Sequence, residues 1–185
     1  IVLSIEPVEL LEQAVSIVNK RLEREFEILD SEARSISPQL GDLTYISRDF
    51  TLRGGKRLRA FLVLIGYWSR EWGLEIDDDV EFLMSLIEFL QSYLLVHDDI
   101  MDKDVIRRGG PTVHVWFRDR CLNNGLIGDC EHYGISQAIT TGDLLESMAV
   151  NMFSKMDKPS NILLDLIKTH TKGLRMVAYG QYLDL

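Results

Sequence analysis

The stretch DDDVEFLMSLIEFLQSYLLVHDDIMD, Asp77 to Asp102, decides the fold that we predict for this chain. Its apolar residues repeat at helical spacing and lie on nearly every face, which is typical of a helix surrounded by other helices. Glu81, Glu88 and Gln91 interrupt the most hydrophobic window, 80–96, so we interpret the segment as a core helix and not as a membrane span. The sequence therefore predicts a central helix with carboxylates at both ends.

The rest of the chain also shows helical periodicity and contains only four prolines, so the predicted class is all-α, with residues 1–185 in one domain. No strand is predicted, and a long loop is expected from Lys103 to about Tyr133. Five further helices are predicted, with ends uncertain by a few residues: Pro7–Glu32, Pro38–Arg48, Lys56–Trp72, Ser136–Met156 and Asn161–Leu185.

Composition limits the classes of partner and the compartment. The 185 residues are 46% hydrophobic, which fits a globular fold, and 29 acidic against 20 basic residues give a net charge of -9. This charge disfavours nucleic acid and anionic membrane surfaces as general partners, because both repel an acidic protein. Cys121 and Cys130 are too few for a disulfide framework, so we expect free thiols and a cytoplasmic location. Lacking a Cys-x-x-Cys pair, they are also poor zinc ligands.

The carboxylates at the two ends of the central helix differ in their relation to the helix dipole. Acidic residues are favourable at a helix N-terminus, so Asp77–Asp79 are interpreted as caps and dipole partners. Asp98, Asp99 and Asp102 lie at the opposite end, where acids are unfavourable, and the i,i+4 spacing places Asp98 and Asp102 on one face. Like charges at this spacing destabilise a helix unless a cation is bound.

Two basic segments are the counterpart of this acidic end. LRGGKRLR, Leu52–Arg59, crowds cations at a predicted helix start, and Gly54 and Gly55 allow the backbone to approach a ligand closely. RRGGPT, Arg107–Thr112, follows the acidic cluster directly. Carboxylates beside arginines suit magnesium, which binds through one or two carboxylates plus substrate phosphates. Two basic sites then suggest two diphosphate substrates.

Each segment alone has an ordinary interpretation. An Asp-Asp-x-x-Asp pattern fits a solvated helix end equally well, and a basic cluster after a turn is commonly an unoccupied surface patch. Violations of local rules tend to lie at functional sites, and here two of them occur together with a third charged cluster, RRGGPT. We therefore favour the functional interpretation.

Five segments together resemble the trans-isoprenyl diphosphate synthases, the group that includes farnesyl and geranylgeranyl diphosphate synthases. They are GGKRLR at 54–59, HDDIMD at 97–102, RRGGPTVH at 107–114, GD at 142–143 and GQYLDL at 180–185. The resemblance implies an antiparallel helical bundle or barrel around a deep hydrophobic cavity, of which this chain would be the N-terminal portion. It also implies a homodimer.

The resemblance further implies a role for particular residues and a reaction without a protein nucleophile. An allylic diphosphate ionises, isopentenyl diphosphate attacks the resulting cation, and a proton is lost. The implied roles are magnesium binding by Asp98 and Asp102 with Asp99 beside them, allylic diphosphate binding by Arg107, isopentenyl diphosphate binding by Lys56, Arg59, Gln91 and Arg108, and lining of the cavity by Gln181 and Asp184. Arg57 is not among the contacts that the family implies.

Product length is expected to depend on Tyr93, five positions before Asp98. At about 1.5 Å of helix rise per residue, this bulky side chain would meet a growing chain early, whereas Leu94 is not bulky. The pattern implies a short-chain product, geranylgeranyl rather than farnesyl diphosphate.

The chain departs from the resemblance in two places. Residues 116–132 are interpreted as an insertion. The second aspartate-rich motif and the Lys-Thr pair of the family are absent, so we expect a fragment that is inactive alone. The alternatives are a non-catalytic binding or regulatory subunit of a heteromeric synthase and, ranked last, a class I terpene cyclase, which has no use for the basic GGKRLR segment.

Overall fold

The structure, a computed structural model, describes residues 7–69 and 75–184, and the described elements confirm the predicted all-α class. Its elements are α1 (Pro7–Ile36), a 3-10 turn (Pro38–Leu40), α2 (Gly41–Leu52), α3 (Leu58–Trp68), α4 (Asp78–Met101), β1 (Ile106–Arg107), β2 (Gly110–Pro111), α5 (Val113–Asn123), α6 (Cys130–Lys155) and α7 (Ser160–Asp184). The predicted end of the third helix at Trp72 lies outside the described residues.

The predicted loop from Lys103 to Tyr133 is wrong. It contains the antiparallel hairpin of β1 and β2 and the whole of α5. Strands of two residues are too short to show the alternation that predicts a strand. The hairpin turns at Arg108 and Gly109, whose φ values of 53° and 77° lie in the left-handed region.

The predicted central helix is α4, which packs most extensively against α6 and also contacts α3 and α1. Phe89 of α4 lies edge-on to Phe26 of α1, with 5.4 Å between ring centroids. Among the described residues, α4 is the one helix long and apolar enough to cross a membrane, and 50% of its apolar window is buried inside the protein. This burial favours the core-helix interpretation.

The aspartates at the start of α4 have different roles. Asp77 caps the helix, because its side chain accepts a hydrogen bond from the Val80 amide at 3.0 Å. Asp79 instead accepts from the Asp157 amide at 2.8 Å and pairs with Lys158 Nζ at 2.6 Å. Burial alone would raise the pKa of Asp79, but these two partners outweigh it and lower the pKa. The connection between α6 and α7 is thereby fastened to α4.

Both cysteines form a disulfide, so the prediction of free thiols is wrong. Cys121 lies in α5 and Cys130 opens α6, and their Cα atoms are 5.6 Å apart. The sequence interpretation took 116–132 as an inserted loop and could not show that two helices meet there. Free thiols were the reason for expecting a reducing compartment, so the cytoplasmic location stays a prediction without that support.

A close approach of α4 and α6 occurs where Gly142 faces His97. A Cβ atom on Gly142 would lie 2.3 Å from His97 Nε2, and the His97 ring also lies edge-on to Tyr93, with 4.9 Å between centroids. We expect Gly142→Ala to lower the free energy of unfolding by about 1–3 kcal/mol, because the ring must leave its packed position. Denaturant unfolding of the full-length protein measures this change.

The matched control is Gly66→Ala on the exposed face of α3, where an added Cβ meets no atom of the described residues within 4 Å. This substitution should raise the free energy of unfolding by about 0.5–1 kcal/mol, since alanine favours a helix over glycine. Equal effects of the two substitutions would show that the contact between His97 and Gly142 is not tightly packed.

Candidate active site

The segment between α2 and α3, residues 53–57, is the first part of the site, and we call it the basic loop. Gly54 and Gly55 have φ values of 65° and 104°, which favour glycine, and Arg57 has a φ of 49°. A Cβ atom on Gly55 would lie 3.3 Å from the guanidinium carbon of Arg108. The glycines thus allow an arginine of the hairpin to lie against the backbone of the loop.

A small cavity of ≈ 90 Å³ brings together all four residues that the resemblance assigned to isopentenyl diphosphate. Burial and then repulsion from Arg57 lower the pKa of Arg108. Such crowding of cations favours an anion as the occupant. The residues that line this cavity are Gly55, Lys56, Arg57, Leu58, Arg59, Glu88, Gln91 and Arg108.

The acidic end of α4 is organised around Arg107. Its Nε donates to Asp99 Oδ1, and its Nη2 lies 3.1 Å from Asp104 Oδ2 and 3.6 Å from Asp98 Oδ2. Arg53 Nη1 donates to the Arg107 carbonyl at 3.3 Å and so joins the end of α2 to the hairpin. The adjacent arginines are therefore divided, with Arg107 among the carboxylates and Arg108 at the basic loop.

Asp99 is buried beneath this cluster. Its side chain is 1% exposed, and its Oδ2 has no hydrogen-bond partner among the residues that the structure describes. Burial raises the pKa of Asp99 to about 6, although the bond from Arg107 acts in the opposite direction. In this structure Asp99 orients Arg107, and its predicted place beside the magnesium ligands stays a prediction.

Asp98 and Asp102 offer the carboxylates that a metal would need. The Asp102 amide donates to the Asp98 carbonyl at 2.8 Å, which keeps the two residues one turn apart on the same side of α4. Among residues 7–69 and 75–184, no three His, Cys, Asp or Glu side chains converge as a complete metal site. Hard carboxylate oxygens from one or two residues, with water and phosphate as the other ligands, are what magnesium requires, so these residues fit that ion.

A second cavity, of ≈ 560 Å³, extends from the acidic cluster between α4 and α7. Arg59 and Gln91 line both cavities, so the two adjoin. Asp184, which we expected to line this cavity, lies exposed near the end of α7, beyond Gln181. The lining residues are Arg59, Gln91, Tyr93, Leu94, Leu95, His97, Asp98, Met101, Leu174, Arg175, Val177, Ala178 and Gln181.

Two polar contacts join α7 to other helices, one to α4 at this cavity and one to α6 outside its lining. Near the acidic cluster, Gln181 Nε2 donates to Asp98 Oδ1 at 3.3 Å. Further down, His170 Nε2 lies 2.7 Å from Glu146 Oε1. His170 and Gln181 are eleven residues apart, or about 16 Å at 1.5 Å per residue.

Sequence reasoning missed the pair of Glu146 and His170. His97 of α4 meets Gly142 of the antiparallel α6. One turn before His97 on α4 and one turn after Gly142 on α6, Tyr93 is therefore level with Glu146. Burial, followed by the negative charges of Glu146 and Asp143, raises the pKa of the Tyr93 hydroxyl, in agreement with this level. The signal in the sequence is weak, since it is one acidic residue on a half-buried helix face.

Comparison with known proteins identifies the family. Residues 42–185 match the polyprenyl synthetase family, and the chain belongs to it. It is 31% identical over 160 residues to a short chain isoprenyl diphosphate synthase of Methanocaldococcus jannaschii. This alignment covers 85% of this chain and 42% of the relative. It is also 31% identical over 182 residues to a farnesyl diphosphate synthase of Haemophilus influenzae, in an alignment that covers 96% of this chain and 53% of that relative.

A solved structure is similar as well. It is the geranylgeranyl pyrophosphate synthase from Corynebacterium glutamicum, complexed with isoprenyl diphosphate and magnesium, with a TM-score of 0.73 and 30% identity. The alignment covers 78% of this chain and 42% of that one. The chain thus spans about half the length of the relatives that it matches, or less.

Proposed function

We propose that the protein is a magnesium-dependent prenyltransferase, which condenses isopentenyl diphosphate with an allylic diphosphate to give a short-chain product. The observation that supports this most strongly is the pair of adjoining cavities. One is lined by cations, the other runs from carboxylates into apolar side chains, and Arg59 and Gln91 border both. Two diphosphates could thereby meet with their carbon chains side by side.

The chemistry follows from charge and exclusion of water. Asp98 and Asp102 would hold magnesium, which supplies positive charge to the departing diphosphate. Arg107 would bind the allylic diphosphate, while Lys56, Arg59, Gln91 and Arg108 bind the isopentenyl diphosphate. The allylic C–O bond breaks with its electron pair leaving on diphosphate, the double bond of isopentenyl diphosphate forms the new C–C bond, and the adjacent carbon loses a proton. Apolar walls keep water from the cation.

The finer properties are also proposals. Tyr93 as a limit to the cavity supports a product such as geranylgeranyl diphosphate, and Leu94 beside it lines the same wall. The family resemblance supports a homodimer, and the cytoplasmic location is a proposal that the disulfide between Cys121 and Cys130 does not favour. Residues 1–185 contain a single Asp-Asp-x-x-Asp motif, and we propose that this stretch expressed alone forms no product.

The test is a condensation assay on the full-length protein with labelled isopentenyl diphosphate, an allylic diphosphate and magnesium. We expect labelled product to become extractable into organic solvent and to be abolished by a chelator. No product under any combination of allylic substrates would contradict the proposal. If the protein forms no product by itself but changes the rate or the product length of a complete synthase relative to that synthase alone, the alternative, a non-catalytic regulatory subunit, is supported.

A further inference from the structure

We propose that Arg57 and Glu88 form a positioning pair, which holds the basic loop in the conformation that binds isopentenyl diphosphate. This inference rests on the proposed function. Arg57 stands between Lys56 and Arg59 in the sequence, yet its side chain is only 1% exposed. The Arg57 side chain is therefore directed into the protein, whereas its neighbours in the basic loop are not buried.

The Arg57 guanidinium is held by three separate elements. Its Nη1 donates to Glu88 Oε2 of α4 at 2.7 Å, and the Glu88 side chain is 5% exposed. Its Nη2 donates to the Thr51 carbonyl of α2 at 2.8 Å, and its Nε donates to Asn19 Oδ1 of α1 at 3.0 Å. Every guanidinium nitrogen has a partner within the protein, so Arg57 is not free to bind a diphosphate directly.

A contribution to the stability of the fold does not explain well why this buried ion pair is present. A buried ion pair loses the hydration of both charges, and well-packed apolar residues in its place are often neutral or stabilising. What the pair adds is direction, because a planar guanidinium with three fixed partners allows one orientation of the chain that carries it. The element so oriented is the basic loop.

The backbone at Arg57 shows why the loop needs this support. Its φ of 49° lies in the left-handed region, which costs a residue with a side chain about 1–2 kcal/mol. Gly54 and Gly55 precede it with positive φ values and offer little resistance to other conformations. Without the contacts of Arg57, we expect the basic loop to adopt several shapes, so Lys56 would no longer lie beside Arg108.

Glu88 also sets the position of the loop along α4. Gln91 lies three residues after Glu88, on the same side of the helix, and both line the small cavity. The pair thus fixes the level of Lys56 and Arg59 relative to Gln91. In addition, the Glu88 carboxylate offsets part of the repulsion that Arg57 exerts on Arg108.

The test uses Arg57→Lys and Glu88→Gln in the full-length protein, at a temperature where circular dichroism shows each variant folded. We expect the KM for isopentenyl diphosphate to rise at least about tenfold, because misplacement of binding groups by about 1 Å is costly. The KM for the allylic diphosphate should remain within about twofold, since Arg107 is held by other partners.

The matched control is Glu25→Gln. Its carboxylate is also 5% exposed and pairs with Lys155, but this pair joins α1 to α6 away from the basic loop. We expect Glu25→Gln to lower stability and to leave both KM values unchanged. If it raises the KM for isopentenyl diphosphate as much as Glu88→Gln does, or if both KM values rise equally in Glu88→Gln, the pair is merely structural and the proposal fails.

A second variant covers the case in which a single substitution prevents folding. The double substitution Arg57→Met/Glu88→Met removes both buried charges, so it should fold while leaving the loop unheld. Calorimetric titration with inorganic diphosphate then measures the affinity of the small cavity for a diphosphate without any catalysis. We expect this affinity to be at least about tenfold weaker in the double variant. Unchanged binding would overturn the proposal even if the unaltered protein proved to be no prenyltransferase.

Discussion

Replacing Asp98 and Asp102 together by asparagine is expected to lower the kcat of the full-length protein about a thousandfold or more. A bound metal supplies several kcal/mol of stabilisation to a developing charge, and each 1.36 kcal/mol is a factor of ten in rate. The amides keep the size of the side chains but lose the charge that binds magnesium. The KM for isopentenyl diphosphate should change little, because the small cavity holds neither residue.

The control for this prediction is Asp78→Asn, the same change near the other end of the same helix. The Asp78 side chain is 76% exposed and pairs with Arg21, so its loss should be worth little to stability or rate. Magnesium titrations followed by calorimetry, with inorganic diphosphate present and the heat of magnesium binding to diphosphate alone subtracted, would report metal binding. Retention of both metal binding and kcat in the Asp98 and Asp102 variant would contradict the assignment of the metal site.

The central helix was the element most open to prediction from sequence. The predicted Asp77 to Asp102 differs from α4, Asp78–Met101, by one residue at each end. Apolar periodicity over so many residues is a strong signal, and the aspartates mark its start with ordinary capping chemistry. The charged groups of the candidate site could also be found from local pattern, because charges at the wrong end of a helix are visible without any tertiary contact.

The start of α3 shows where local pattern fails. We predicted a helix from Lys56, but it begins at Leu58 because Arg57 adopts a left-handed conformation. The cause is long-range, since Glu88 lies 31 residues away. The same limit applies to Glu146 and His170, which are 24 residues apart in sequence and meet only through packing of α7 on α6.

The prediction of a loop over residues 103–133 failed for a different reason. Short elements bury few residues, so they contain too few apolar positions to show a period. In addition, the sequence of α5 shows almost no segregation of apolar and polar faces. The disulfide depends on the chain reversal between α5 and α6, which the sequence interpretation treated as an insertion. Whether 116–132 is an insertion relative to the family stays a prediction.

Tyr93→Ala is expected to lengthen the main product by at least one isoprene unit, about 5 carbons. Tyr93 lines the large cavity below Asp98, and loss of its ring opens the wall at the level where a growing chain would arrive. Product lengths can be measured by reversed-phase chromatography after removal of the diphosphate. Tyr45→Ala, which removes an equal ring from the exposed face of α2, should leave the distribution unchanged.

The pair of Glu146 and His170 makes this prediction sharper. Once the Tyr93 ring is gone, an apolar chain would meet the Glu146 carboxylate at the same level, and burial of a charge against hydrocarbon is unfavourable. We therefore expect the lengthening in Tyr93→Ala to be limited, and the double variant Tyr93→Ala/Glu146→Leu to give longer products still. Equal distributions for the two variants would show that Glu146 does not border the path of the chain. An unchanged distribution in both would exclude Tyr93 as the limit, and the end of the cavity would then have to lie elsewhere along α7.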